Sequence, residues 1–237
     1  MANTNKITII LPTLNEEKNI SNICKKLNDL ITIKDYQILF VDDGSTDSTR
    51  DIIIQASITF NNVTYLFREN DKDISRSFID GVKISNSEYI LLMDSDLQHD
   101  ASYVMKFIKY AEKYDYDFIN GSRFLQESLI FKSTYYKIFR IMLSKIFIYF
   151  MRILIKIDLT DPLSGFFLVK REKLIRNIPK MYKSGWKIML DFYLSCDNDL
   201  SFLELPIKIN KRVEGQSKIN FKVALGVIKM IIFHRNK

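Results

Sequence analysis

Two acidic side chains stand two residues apart at the end of an apolar segment of this sequence. Asp94 and Asp96 follow the run YILLM at 89–93. Carboxylates this close repel each other, so they favour a shared hard divalent cation, Mg²⁺ or Mn²⁺, which prefers oxygen ligands. Such a cation retains water and takes further oxygens from substrate phosphates. The pair therefore predicts metal-assisted chemistry on a phosphorylated substrate, although such a pair alone is frequent by chance.

A second acidic pair, Asp42 and Asp43, ends an earlier apolar run, QILFV at 37–41. A carboxylate at the end of a strand can accept hydrogen bonds from a ribose or a base. A third polar cluster, at 13–16, follows the run KITIIL at 6–11. Turn and capping chemistry explains any one of these clusters, whereas three clusters at strand ends indicate a functional site.

The clusters are separated by segments whose hydrophobic patterns alternate between strand and helix. Asn15 is predicted to cap the helix that follows it. Strands are predicted at 6–11, 37–41, 63–67, 89–93, 117–119, 166–169 and 203–209, and further helices at 46–57, 74–84, 101–113, 186–196 and 219–233. This alternation predicts an α/β fold with a mostly parallel sheet covered on both faces. Ligands of such sheets bind outside the carboxyl ends of the strands, where the three polar clusters fall.

The composition is that of a globular protein. The 237 residues are 47% hydrophobic and 27% charged, which excludes a disordered chain and predicts a single domain over 1–237. Two Cys exclude a disulfide scaffold and fit a reducing compartment, and two His argue against a multi-His zinc site. The net charge of +7 favours anionic partners, namely nucleic acid, phosphorylated substrates or anionic lipid.

The segment 133–157 differs from the rest because it is apolar and its only charges are basic. Its five basic residues fall within an arc of roughly 160° on a helix, and no Asp or Glu occurs between Glu127 and Asp158. The pattern predicts helices that lie on an anionic bilayer. A core helix with a solvated basic face, or a dimer interface, is the alternative.

The C-terminal segment, at about 219–237, is also predicted to be an amphipathic helix. The sequence has neither a signal-peptide pattern nor a run of about 18 uncharged apolar residues. We therefore expect a peripheral protein on the cytoplasmic face of a membrane.

Several longer motifs resemble a known family. The segments LPTLNEEKNI (11–20), VDDGSTDSTRDI (41–52) and LLMDSDLQH (91–99) together resemble family 2 glycosyltransferases, which have the GT-A fold. A narrower resemblance, to dolichol- or polyprenol-phosphate mannose synthases, comes from four further motifs. These are NGSRF (120–124), DLTDPLSGFFLVKRE (158–172), GWKIMLD (185–191) and RVEGQSK (212–218).

The resemblance implies roles for individual residues. The nucleotide sugar would contact Pro12, Thr13, Asn15, Glu16, Asp42, Asp43, Asp94, Ser95, Asp96, Gln98, Arg212 and Lys218. The metal would be held by Asp94 and Asp96 with Gln98 beside them, and the acceptor phosphate would bind Arg123, Arg140 and Ser217. Catalysis would depend on Asp96, Arg123, Arg212 and Lys218, of which the last two lie on a loop that closes over the diphosphate. Asp191, one helical turn from Lys187, is more simply explained as its ion-pair partner.

The implied reaction is a metal-dependent, inverting transfer of a hexose from a nucleotide diphosphate sugar to polyprenyl or dolichyl monophosphate. GDP-mannose is the donor that the resemblance favours, and the membrane surface and a membrane-anchored partner subunit are further implied partners. UDP-glucose or another donor, or a glycan acceptor, is the first alternative. The second is a catalytically degenerate nucleotide-sugar-binding scaffold, suggested only by the glycine-poor stretch 71–77, where relatives carry glycines. Nucleic acid is not expected, since no platform of aromatic and basic residues is present.

Overall fold

A computed structural model describes residues 5–69, 72–125, 149, 157–197, 200–210 and 221–236. The strands are β1 (Ile7–Thr13), β2 (Tyr36–Asp42), β3 (Val63–Phe67), β4 (Tyr89–Leu92), β5 (Phe118–Ser122), β6 (Phe167–Lys170) and β7 (Phe202–Pro206). The α-helices are α1 (Ile20–Leu30), α2 (Thr49–Thr59), α3 (Ile74–Ile84), α4 (Ser102–Tyr114), α5 (Arg171–Asn177), α6 (Ile188–Ser195) and α7 (Phe221–Arg235), with a 3₁₀ turn at Ile178–Lys180. The strands and helices predicted within the described residues are confirmed, with ends that shift by a few residues.

The described strands form one seven-stranded sheet in the order β3-β2-β1-β4-β6-β5-β7. Neighbouring strands in the sheet are parallel, except that β6 runs antiparallel to both β4 and β5. The six parallel strands therefore end at the same edge, and β6 begins there. We call this edge, with the loops that leave or reach it, the site edge.

Both faces of the sheet are covered, as the α/β pattern predicts. Along β1, Ile7, Ile9 and Leu11 belong to the core under α1, α2 and α4. Ile10, on the opposite face, belongs to the core under α3, α5, α6 and α7. This alternation follows from the two-residue period of a strand, and it explains why β1 is apolar on both faces.

The predicted cap at Asn15 is wrong. Helix α1 begins at Ile20, and Asn19 occupies its N-cap position. Asn15 instead adopts a left-handed conformation (φ 55°), which Asn tolerates better than most residues. Its side-chain oxygen accepts a hydrogen bond from the Thr46 N–H at 2.8 Å, so Asn15 joins the loops that follow β1 and β2.

Two predicted segments bear on membrane contact. The basic segment 133–157 lies outside the described residues except for positions 149 and 157. The C-terminal helix is confirmed as α7, with Val227 and Met230 buried against the core. Among the described helices, none has the length and hydropathy needed to cross a bilayer.

Gly121 lies in β5, where β6 and β7 approach from either side. A Cβ added there would lie 2.9 Å from Ile207 Cδ1 and 3.0 Å from the Phe166 carbonyl oxygen. We predict that Gly121→Ala lowers the free energy of unfolding by about 1–3 kcal/mol through overpacking, measured by urea denaturation. Gly226→Ala in α7 is the control, because the added Cβ would meet no described atom within 4 Å. Equal effects of the two substitutions would contradict this account.

Candidate active site

The loops after β1 and β2 are joined into one unit at the site edge. The Asp43 N–H donates to the Thr13 carbonyl at 2.9 Å, and the Glu16 N–H donates to the Thr49 hydroxyl at 2.8 Å. The Ser95 hydroxyl donates to the Pro12 carbonyl at 3.1 Å and thereby attaches the loop after β4. The structure thus brings the loops after β1, β2 and β4, which carry the described residues of the predicted nucleotide pocket, next to one another.

Asp42 is fully buried, and the groups around it already use its oxygens. Its Oδ1 accepts from the Gly44 N–H at 3.2 Å, the Ser45 N–H at 3.1 Å and Arg50 Nε at 2.6 Å. Its Oδ2 accepts from the Ser45 hydroxyl. Asp42 therefore fixes the shape of the turn, and its contact with a base or ribose stays a prediction.

Asp43 forms an ion pair with Arg68, and both side chains are almost fully buried. Arg68 also donates to Asp80 at 3.0 Å and to the Ser77 hydroxyl at 3.0 Å. The pair therefore fastens the loop after β2 to helix α3. The role of Asp43 in nucleotide binding stays a prediction.

The two predicted metal ligands differ in exposure. The side chain of Asp94 is 41% exposed, whereas Asp96 is buried and accepts the Gln98 N–H at 3.0 Å. A Cβ at position 165 would come within 3.5 Å of Asp94 Oδ2, so Gly165 leaves room at this carboxylate. Among the described residues, no group of three or more His, Cys, Asp or Glu side chains is placed to hold a metal. Two carboxylates nevertheless suit Mg²⁺ or Mn²⁺, whose remaining ligands are then substrate phosphates and water.

His99 organises the loop that carries Asp94. Its Nδ1 accepts the Asp94 N–H at 3.1 Å, which assigns the ring proton to Nε2. The ring is buried and stacks on Phe166 at 4.8 Å. Burial lowers the pKa of His99, while the Asp94 charge opposes this effect. His99 is therefore neutral near pH 7, a role that sequence reasoning missed although the residue follows Asp96 by three positions.

Arg123 follows β5 and is held by Asp161, which is fully buried. Arg123 Nε and Nη2 donate to the two Asp161 oxygens at 2.6 and 2.8 Å, and the Arg123 N–H adds a third bond at 3.1 Å. Burial alone would lower the pKa of Arg123, but the hydrogen bond and charge of Asp161 outweigh it and raise that pKa. Arg123 is thus a fixed cation whose charge interacts with Asp94.

Lys187 is a second cation near Arg123, and the predicted site did not include it. Its ammonium donates to the Leu163 carbonyl at 3.0 Å rather than to Asp191, so the predicted Lys187–Asp191 pair is wrong. Burial and the Arg123 charge lower the pKa of Lys187 to about 8, while Asp161 and Asp94 act in the opposite direction. The signal was the position of Lys187 in the motif GWKIMLD, but its sequence distance from Arg123 concealed their electrostatic interaction.

Four predicted site residues lie outside the described residues: Arg140, Arg212, Ser217 and Lys218. The described residues continue to Asn210, just before the undescribed segment that contains Arg212, Ser217 and Lys218. The Asn210 N–H donates to the Gln98 carbonyl at 2.9 Å, so this end of the described segment lies beside the loop of Asp94 and Asp96.

Comparison with known protein families shows the family to which this chain belongs. The model of the family described as Glycosyl transferase family 2 matches residues 8–177, which is more than half of the chain. The chain belongs to this family. The predicted family resemblance is therefore confirmed.

Curated relatives of this family 2 glycosyltransferase include dolichol-phosphate mannosyltransferases. It is 28% identical to the dolichol-phosphate mannosyltransferase of Pyrococcus furiosus over 95% of this chain and 62% of that protein. It is 27% identical to the dolichol-phosphate mannosyltransferase of Saccharomyces cerevisiae over 94% of this chain and 85% of that protein. The chain thus spans less than two thirds of the length of the Pyrococcus relative.

Solved structures confirm the GT-A fold of this family 2 glycosyltransferase. Glucosyl-3-phosphoglycerate synthase from Mycobacterium tuberculosis, solved with Mn²⁺, uridine-diphosphate-glucose and phosphoglyceric acid, superposes with a TM-score of 0.75. The match covers 98% of this chain and 80% of that chain at 14% sequence identity. At this identity the likeness is one of fold alone.

The Arg123–Asp161 pair gives a stability prediction. Asp161→Asn leaves a guanidinium without its countercharge, so we predict a loss of about 2 kcal/mol in the free energy of unfolding, reduced from the fully buried value because Arg123 is 37% exposed. Urea denaturation measures the loss. Asp115→Asn, at an 87% exposed partner of Lys170, should show no measurable change. A similar loss in both variants would contradict a special role for Asp161.

The low pKa of Lys187 gives a pH prediction for the metal-free protein. The folded-state pKa lies at about 8 and the ordinary value is 10.5, so between these values the unfolded chain binds more protons and stability rises with pH. From about pH 7.5 to about pH 9.5, we predict that the wild type gains about 2 kcal/mol relative to Lys187→Met. Chemical denaturation at both pH values, with a chelator present, measures the difference. Parallel pH curves for the two proteins would show that Lys187 has an ordinary pKa.

Proposed function

We propose that this glycosyltransferase moves a hexose from a nucleotide diphosphate sugar to a polyprenyl monophosphate. The observation that carries the proposal is the juxtaposition of two carboxylates, Asp94 and Asp96, with the held cation Arg123 at one sheet edge. The charge of His99 would interact with all three and with Asp161, so the four charged groups lie in one region of the site edge. Carboxylates suit a metal-bound diphosphate, and a guanidinium suits a second phosphate.

On the donor side, Asp94 and Asp96 would hold Mg²⁺ or Mn²⁺ with Gln98 beside them. The metal, when bound, would neutralise the charge that develops on the departing diphosphate. The protein itself contributes by holding these carboxylates in position before the substrate binds. His99 and Ser95 hold the backbone on either side of Asp94 through the bonds to the Asp94 N–H and the Pro12 carbonyl, which reduces the reorganisation needed during reaction.

On the acceptor side, Arg123 would bind the phosphate of the polyprenyl chain. A phosphate monoester has a second pKa of about 6, so it is a dianion at neutral pH. One of its oxygens attacks the anomeric carbon, the bond from that carbon to the diphosphate breaks, and the nucleoside diphosphate leaves. No proton has to move, so the reaction needs no general base. A single displacement of this kind inverts the anomeric configuration.

GDP-mannose is the proposed donor, because the Pyrococcus and Saccharomyces relatives are named dolichol-phosphate mannosyltransferases. UDP-glucose, another donor or a glycan acceptor remains the alternative. A glycan hydroxyl would require a base, and His99 does not supply one, because its Nδ1 already accepts the Asp94 N–H and its Nε2 carries the ring proton. Contacts of Arg140, Arg212, Ser217 and Lys218 with the substrates, and binding to the cytoplasmic face of a membrane with or without an anchored partner subunit, are further parts of the proposal.

The scaffold alternative rested on the glycine-poor stretch 71–77. In the structure, Asp73 caps the N-terminus of helix α3. Its Oδ1 accepts the Ser75 and Arg76 N–H groups at 2.8 and 3.3 Å. Ser75 and Ser77 are small enough to be buried there. The described part of this stretch, 72–77, is therefore compatible with an ordered site, which supports the enzyme over the scaffold.

A transfer assay tests the proposal. Purified protein with Mg²⁺ or Mn²⁺ and a detergent-dispersed polyprenyl phosphate is offered labelled GDP-mannose and UDP-glucose separately. We predict label in the lipid fraction, reduced at least about 100-fold in Asp94→Asn and in Asp96→Asn because the carboxylates no longer hold the metal. Asp29→Asn, on the exposed face of α1, is the matched control and should retain wild-type transfer.

The outcomes separate the alternatives. Transfer from UDP-glucose alone would correct the donor and retain the mechanism. Metal-dependent nucleotide binding without transfer to lipid phosphate would argue for another acceptor, and failure to bind any nucleotide would argue for the scaffold.

A further inference from the structure

The loop 182–187, between the 3₁₀ turn and α6, is held by two carboxylates. Asp191 accepts the N–H groups of Tyr182 and Lys183 at 2.8 and 2.9 Å, and it also bonds to His234 of α7 at 2.7 Å. At the other end, Asp73 Oδ2 accepts the Ser184 hydroxyl at 3.0 Å and the Gly185 N–H at 2.8 Å. Asp191 is buried, so the loop is fixed from the interior of the fold.

The fixed loop directs two adjacent side chains to different surroundings. Trp186 is half exposed, whereas the ammonium of Lys187 reaches inward to the Leu163 carbonyl at 3.0 Å. The charge of Lys187 interacts most strongly with Arg123, then with Asp161 and then with Asp94. Lys187 therefore lies within the charged cluster at the site edge, on the side of the Arg123–Asp161 pair.

The charges of this cluster indicate a ligand-binding role for Lys187. Asp161 balances Arg123 through two side-chain hydrogen bonds. A divalent cation would balance Asp94 and Asp96. The charge of Lys187 then has no dedicated countercharge among the described residues of the cluster, and the ammonium has three donors, of which the Leu163 carbonyl accepts one. A partly buried lysine in these surroundings is suited to a dianionic ligand.

We propose that Lys187 binds the phosphate of the polyprenyl acceptor together with Arg123. The inference rests on the proposed function for its ligand, and it adds a residue to that site. In this account, the carboxylates Asp73 and Asp191 fix the loop that places Lys187 near Arg123.

The test measures binding rather than turnover. Farnesyl phosphate, a short polyprenyl monophosphate, is titrated calorimetrically into the full chain, with farnesol and inorganic phosphate as separate arms. We predict that Lys187→Met weakens farnesyl phosphate binding about 10- to 100-fold, as expected for a lost charge-assisted hydrogen bond, and that Lys187→Arg retains part of the affinity. Manganese-dependent binding of GDP or UDP should be unchanged in both variants.

The control variant is Lys180→Met. Lys180 lies just before the loop 182–187 and forms an exposed ion pair with Asp197, so farnesyl phosphate should bind this variant as it binds the wild type. Farnesol, which lacks the phosphate, should not distinguish the four proteins. Inorganic phosphate should show the same dependence on Lys187 at lower affinity, because the lipid tail adds apolar contacts but not the charge. Circular dichroism confirms that each variant is folded, and Lys187→Gln replaces Lys187→Met if the latter is not.

Three results would overturn the inference. These are wild-type affinity of Lys187→Met for farnesyl phosphate, weakened nucleotide binding with intact farnesyl phosphate binding, and no binding of farnesyl phosphate by the wild type. The proposed function fails in a different way, through phosphate binding that depends on Lys187 but leads to no sugar transfer.

Discussion

The parallel register of β1 with its neighbours is the constraint on which the site depends. Thr13 pairs with Asp42 across β1 and β2, and Ile10 pairs with Leu92 across β1 and β4. Strands β1 and β2 therefore end level with each other, and β4 ends three register positions earlier, so that its loop starts beside them. A shift of one residue in any of these strands would turn every side chain to the opposite face and would separate the carboxylates from one another. Hydrogen bonding of β1 to β2 on one side and to β4 on the other fixes its register.

The carboxylates at the site edge fall into two groups with different duties. Asp42, Asp161 and Asp191 are buried and bind backbone N–H groups or cations of the protein itself. Asp94 is exposed at the surface of the cluster. Buried carboxylates that satisfy neighbouring donors stabilise irregular backbone, since each replaces hydrogen bonds that a strand or helix would otherwise supply. Part of the polar set at the site therefore supports the backbone, and Asp94 presents its carboxylate at the surface.

The sequence predicted the elements and the edge because both follow from local patterns. The helix at Ile74–Ile84 and the strand at Val63–Phe67 coincide with their predicted bounds, and the acidic pairs lie at strand ends as expected. The failures concern contacts between distant parts of the chain. Asn15 reads as a cap, but its partner, Thr46, is 31 residues away. His99 is close to Asp94 in sequence, but its stacking partner, Phe166, is distant. Lys187 is distant from Arg123 in sequence, and only the folded chain brings their charges near each other.

Among the described strands, β6 alone runs antiparallel, and this has a consequence for how the protein can diverge. The chain leaves β5 at Ser122 and re-enters the sheet at Phe167, and these two strands are hydrogen-bonded neighbours. The polypeptide between them starts and finishes at the same edge, so its closure is independent of every other crossover in the fold. Insertions, deletions or exchanges within that excursion leave the register of the sheet intact, because closing a longer loop adds little free energy. Natural variation can therefore change the length of this excursion while the carboxylate loops after β1, β2 and β4 stay as they are, which makes the excursion the more evolvable part of the fold.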